Sequence, residues 1–162
     1  MRQKRILIVE DEIIIAMEIA DRLKSMGYEV IKIVSNGEMA VKTALEQRPD
    51  LILMDIMIQG DIDGIETASK IHEKSLVPVI YLTANADEST LERAKISDAF
   101  GYLIKPFEER ELNTTIEMAL YKHKMEAKLR ESEERFKSLV ENSSIGIFRI
   151  NKEGIIIPVS YT

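Results

Sequence analysis

The 162-residue chain has no cysteine and no tryptophan, and only four prolines and seven glycines. Without cysteine there is no disulfide framework and no thiolate metal site, which fits a reducing compartment. No apolar run approaches the roughly 18 residues that a membrane-spanning helix needs. The opening "MRQKRILIVEDE" also lacks the long apolar segment of a signal peptide. The protein is therefore expected to be soluble and cytoplasmic, with no membrane partner. A basic surplus is missing too: 22 Lys and Arg stand against 28 Asp and Glu, for a formal charge of −6. That balance argues against a nucleic-acid partner, because phosphate backbones require clustered cations.

What is present suffices for one compact domain and something more. The chain is 45% hydrophobic and 31% charged, enough for a core and a solvated surface. Five short apolar runs punctuate the first two thirds: "RILIV" (5–9), "EVIKIV" (29–34), "LILM" (51–54), "VIYLT" (79–83) and "GYLI" (101–104). Most are near-continuous in Ile, Val and Leu, as parallel strands covered on both faces are. Between them lie amphipathic stretches. Residues 12–26 set Ile15, Ile19 and Leu23 at helical spacing and stop at Gly27, and residues 37–48 set Val41, Ala44 and Leu45 on one face. Further helices are expected over 64–74 and 87–97. The alternation predicts an α/β fold, a five-stranded parallel sheet wound on both faces.

In such a sheet, ligands gather beyond the carboxyl ends of the strands. The first run ends in Glu10, Asp11 and Glu12, the third in Asp55, the fourth in Thr83 and Ala84, and the fifth in Lys105 followed by Pro106. Taken singly, each has a plain explanation: a helix N-cap for either aspartate, a surface lysine, a β-branched strand residue. Together they bring acids, a hydroxyl and an ammonium to one edge. Crowded carboxylates repel, and a hard divalent cation such as Mg²⁺ relieves the cost through oxygen ligands. A carboxylate is also a nucleophile toward phosphorus. Lys105 and Thr83 are suited to contact phosphoryl oxygens.

The set "ILIVEDE", "LILMDI", "VIYLTA" and "GYLIKPF" resembles the receiver domain of two-component response regulators, the CheY-like family, over residues 4–121. The resemblance implies a flavodoxin-like sheet of order 2-1-3-4-5. It implies that Asp55 is the phosphoacceptor, served with Mg²⁺ by a sensor histidine kinase or a histidine phosphotransfer protein. Glu10 and Asp11 would organise the metal with Asp55, and the backbone carbonyl of Met57 would complete the protein ligands. Thr83 and Tyr102 match the pair that rearranges on phosphorylation, Lys105 matches the phosphate-binding lysine, and Lys105–Pro106 is expected to be cis. Such a domain is a switch rather than an enzyme, limited to its own phosphotransfer and autodephosphorylation. One departure stands out. Position 59 is Gln where the family has proline, and Asp63-Gly64 begins eight residues after Asp55 instead of seven, so this loop is one residue longer.

Two rival readings remain. A Mg²⁺-dependent phosphatase with an aspartate nucleophile normally places a second acid two residues on, where this chain has Met57. An unphosphorylated dimerisation scaffold would have no use for the full acid, threonine and lysine set.

Beyond the sheet, residues 108–141 contain no Pro or Gly and read as one helix. Leu112, Ile116 and Ala119 are placed to cover the sheet. A second stripe, Met118, Tyr121, Met125, Leu129, Phe136 and Leu139 with Ser132 in the gap, resembles a short coiled-coil seam and predicts a homodimer. Residues 131–155, "ESEERFKSLVENSSIGIFRINKEGI", resemble the opening of a PAS sensor domain, an entry helix and then a hairpin. A full PAS core needs roughly a hundred residues, so the chain is expected to be a piece of a longer receiver–PAS protein. The expected organisation is receiver 1–121, helical linker 122–141 and a PAS-like start at 142–162. His72 and His123 read as surface residues.

Overall fold

The computed structural model describes residues 2–84, 87–96, 99–142, 148–150 and 152–158. Met1–His123 and Lys124–Thr162 are two compact units.

In the first unit strands and helices alternate: β1 (Arg5–Val9), α1 (Ile13–Ser25), β2 (Glu29–Val34), α2 (Gly37–Gln47), β3 (Leu51–Asp55), α3 (Gly64–His72), β4 (Val79–Thr83), α4 (Glu88–Ile96) and β5 (Gly101–Ile104), followed by α5 (Glu109–Asn142). The sheet order is β2-β1-β3-β4-β5 with every pairing parallel. Strand alternation divides the apolar residues between two cores. Leu7, Val9, Ile52, Met54, Val79 and Tyr81 meet Ala40 and Ala44 of α2, Ile65, Ala68 and Ile71 of α3, and Ala94 of α4. Their neighbours Ile6, Ile8, Leu51, Leu53, Ile80 and Leu82 meet Ala16, Ile19 and Leu23 of α1 and Leu112, Ile116 and Ala119 of α5. This two-sided burial is why the runs are continuous rather than alternating, each large side chain contributing about 1.5–3 kcal/mol.

The helix ends follow local chemistry. Gly27, at φ +89°, closes α1, with the Tyr28 amide donating to the Leu23 carbonyl at 3.0 Å. Asn36 caps α2 by accepting from the Met39 amide at 2.9 Å, and Asp63 caps α3 by accepting from the Glu66 amide at 2.9 Å. The second Asp63 oxygen holds Arg93 of α4 at 2.7 Å. Asp63→Ala is thus expected to cost about 1–2 kcal/mol, mostly through the lost cap, whereas Arg93→Ala, which removes only a surface pair, costs under about 1 kcal/mol. Urea unfolding of the two variants measures the split.

The longer loop after β3 is not loose. Gln59 forms a parallel bridge with Asn36, and Gly60 turns at φ +111°, so the added residue is absorbed against the β2–α2 junction. His72 differs from the sequence reading: it is half-buried, with Nε2 2.8 Å from the Val77 carbonyl. His123 is half-buried as well, edge-on to Phe100 with ring centroids 5.8 Å apart.

In the second unit, α5 residues from Glu126 to Leu139 are exposed throughout. Two short strands, β6 (Phe148–Ile150) and β7 (Ile156–Pro158), pair antiparallel, Ile150 opposite Ile156. Gly154, at φ +79°, lies in the connection. Part of the predicted hairpin, including Asn151, lies outside the described residues. No helix among the described residues is long and apolar enough to cross a membrane.

Candidate functional site

The sheet pairing delivers the acids and the lysine to one edge. Asp55 closes β3 opposite Leu82, and the Ile56 amide donates to the Leu82 carbonyl at 3.0 Å. On the next strand pair, the Lys105 amide donates to the Thr83 carbonyl at 2.8 Å. The parallel sheet therefore sets Glu10, Asp55 and Lys105 at the same carboxyl edge.

Glu10, Asp11 and Asp55 each bring a carboxylate oxygen to within 4.8 Å of the others. Glu10 is 1% exposed and Asp55 6%, whereas Asp11 is half-buried. The Lys105 ammonium bridges the two buried acids, 2.6 Å from Glu10 Oε2 and 2.8 Å from Asp55 Oδ2. The other oxygens face backbone donors: Asp55 Oδ1 accepts from the Met57 amide at 3.0 Å, and Glu10 Oε1 from the Glu12 amide at 3.1 Å. Among the described residues no buried side-chain nitrogen or oxygen lacks a partner.

Electrostatics show how tight the cluster is. Burial pushes the Glu10 carboxyl up to about 7, against the lowering effect of Lys105 and the Glu12 amide, and the neighbouring Asp55 adds to the rise. For Lys105, burial disfavours the charged form, but hydrogen bonds from its ammonium to Asp55 and Glu10 outweigh it and raise the pKa. Three acids cluster around one ammonium, which is bonded to two of them, so the pocket is rich in negative charge. All available donors are oxygens, the preference of a hard divalent cation and not of a softer metal.

Thr83 is buried at the end of β4. Tyr102 is not gathered into the pocket: it lies opposite Tyr81 and is 46% exposed, beside a groove of about 660 Å³ between β5 and α5. Met57 places its amide on Asp55 while its side chain is exposed. Lys105–Pro106 is cis.

Gly64, marked in the sequence only as half of the shifted Asp63-Gly64 pair, is a site residue. A Cβ there would lie 2.1 Å from the Asp55 carbonyl oxygen and 2.9 Å from the Ile56 Cα. The α3 backbone thus packs directly on the residue that carries the central acid, and the Gly64 amide donates to the Ile56 carbonyl at 2.8 Å. Arg22, also unremarked in the sequence, donates to the Phe107 carbonyl at 2.9 Å and ties α1 to the loop that follows Lys105.

Residues 6–117 match the family model described as "Response regulator receiver domain". The chain belongs to this family. The receiver domain is 39% identical over 117 residues to the transcriptional regulatory protein PdtaR of Mycobacterium tuberculosis, a match covering 72% of this chain and 57% of PdtaR. The chain thus spans a little over half the length of that curated relative. Among solved structures, the signal receiver domain of a modulated diguanylate cyclase from Desulfovibrio desulfuricans G20 superposes with a TM-score of 0.73 at 42% identity, over 77% of this chain and 99% of that one. The N-terminal domain of a response regulator/sensory box/GGDEF three-domain protein from Carboxydothermus hydrogenoformans does so with a TM-score of 0.71 at 40% identity, over 76% and 99%. A receiver domain is a phosphoacceptor module of two-component signalling, and its acidic pocket is where such domains bind Mg²⁺.

Proposed function

We propose that Asp55 is the phosphoacceptor of this receiver and that a histidine kinase or a histidine phosphotransfer protein is its donor. The observation that carries the reading is Asp55 Oδ2 at 2.8 Å from Lys105 beside the buried Glu10. A carboxylate oxygen of Asp55 attacks the donor phosphorus, and the phosphorus–nitrogen bond of the donor histidine breaks with its electron pair leaving on nitrogen. The Met57 amide holds the other Asp55 oxygen and fixes the angle of attack. Lys105 is within reach of the arriving phosphoryl oxygens and follows them as a point charge.

Glu10, Asp11 and Asp55, with the Met57 carbonyl, are the groups that would hold Mg²⁺. The bound cation would supply charge neutralisation at the phosphoryl oxygens. Thr83 and Tyr102 form the proposed switch: the threonine hydroxyl turns to the phosphoryl group and the half-exposed tyrosine moves toward the space it leaves. The donor's docking face is assigned to α1, where Ile13, Ile14 and Met17 are exposed beside a cleft of about 430 Å³ that reaches Asp55 and Lys105. A phosphatase reading gains nothing from the site, since Met57 offers no acid.

The helix and antiparallel hairpin after residue 131 support a PAS-like sensor module following the receiver, as does the sensory box in the Carboxydothermus relative's description. We place the protein in the cytoplasm.

Incubation with acetyl phosphate tests the acceptor role by intact mass. With Mg²⁺ one phosphoryl adduct is expected, and none forms when EDTA is present from the start. Lys105→Ala is expected to lower the adduct yield at least tenfold, by taking away the ammonium that bridges Glu10 and Asp55. Full adduct formation in EDTA would defeat the metal assignment.

A further inference from the structure

Within the second unit, α5 carries a stripe that the receiver reading does not use. Met125, Leu129, Ser132, Phe136 and Leu139 recur at spacings of four, three, four and three, the alternation of a coiled-coil seam. Leu129, Phe136 and Leu139 are 61%, 70% and 71% exposed. Three large apolar side chains on one side of a helix otherwise dense in Glu, Lys and Arg mark a face that is covered in use.

The flanking charges identify the cover. With Leu129 and Phe136 as the first core position of each heptad, Lys128 and Arg135 precede the core and Glu133 follows it. In a parallel pair, a preceding residue meets the following residue five positions further along the second helix. That sets Lys128 against Glu133 of the second copy, twice by symmetry, and Arg135 against Val140, with no like charges opposed. An antiparallel pair centred on Ser132 does the reverse, setting Lys128 against Arg135 and Glu133 against Glu133. The rest of the polar surface is partly satisfied within the helix, by Glu131 with Arg135 and by Lys137 with Glu141. Among the described residues, Lys128 and Glu133 stand in no ion pair.

We propose that residues 125–139 form the seam of a parallel two-stranded homodimer, with register set by Lys128 of each copy pairing with Glu133 of the other. Ser132, polar at a core position, weakens the pair while disfavouring slipped registers. The inference is independent of the phosphoacceptor reading.

The absence of cysteine makes the test clean. Met125→Cys and Leu139→Cys are made separately in the full chain and oxidised. A parallel seam gives a disulfide dimer from each variant alone, and much less from Ala127→Cys on the opposite face. Cross-linking only in a mixture of Met125→Cys and Leu139→Cys chains would mean antiparallel pairing and overturn the proposal. Equal cross-linking from Ala127→Cys, or none from any variant, would overturn it too. Sedimentation then reads the pairing charge. Lys128→Glu and Glu133→Lys are each expected to weaken dimerisation roughly three- to tenfold, and the double variant to return it to the wild-type value. Failure of the double variant to recover, with helix content unchanged by circular dichroism, contradicts the assigned register.

Discussion

Gly64→Ala is expected to unfold the receiver more effectively than the loss of most core side chains. The added methyl meets the Asp55 carbonyl oxygen at 2.1 Å and the Ile56 Cα at 2.9 Å, and both are backbone atoms flanked by buried β3. A flexible side chain can swing away from such an intruder, but here the start of α3 or the end of β3 must move. Overpacking a well-filled site typically costs 1–3 kcal/mol, and with only backbone to displace the cost is about 3 kcal/mol or more. Against a total stability of roughly 5–15 kcal/mol, that lowers the melting temperature by about 10 °C or more. Any folded fraction carries a displaced Asp55, so phosphoryl acceptance falls even at low temperature. Gly27→Ala serves as the contrast: nothing lies within 4 Å of its added Cβ, so its cost is confined to the strain of φ +89°.

Asp55→Asn is expected to abolish phosphoryl acceptance while leaving the fold intact. The amide keeps an oxygen to accept from the Met57 amide and has nearly the same volume, so stability shifts by about 1 kcal/mol or less. What it loses is the nucleophilic carboxylate. Asp61→Asn, at an exposed loop position, retains full labelling under the same conditions. The two variants together separate loss of one nucleophile from a general loss of acidity around the pocket.

The sheet was legible because its physics is local to each strand. Two-sided burial of a parallel sheet demands uninterrupted Ile, Val and Leu, and a single ligand edge demands that polar residues follow those runs directly, as Glu10, Asp55 and Lys105 do. What was not legible depends on close approach or on distant partners. Gly64 presses on Asp55 across nine positions, and a glycine before a helix looks the same whether or not a backbone lies against it. His72 looks like any helix-surface histidine until the chain beyond α3 brings the Val77 carbonyl to 2.8 Å. The pairing of Asp63 with Arg93 joins residues thirty apart that no periodicity connects. Tyr102 sits on the correct strand, but its half-exposed setting beside the β5–α5 groove depends on how α5 lies along the edge strand.

The most direct test of the central claim is to locate the phosphoryl group. After reaction with acetyl phosphate and Mg²⁺, rapid proteolysis and tandem mass spectrometry are expected to place a single base- and hydroxylamine-labile modification on Asp55, and to find none when EDTA replaces Mg²⁺. A modification on Asp11, Asp61 or Asp63, or one on Asp55 that forms equally well without the metal, would contradict the account.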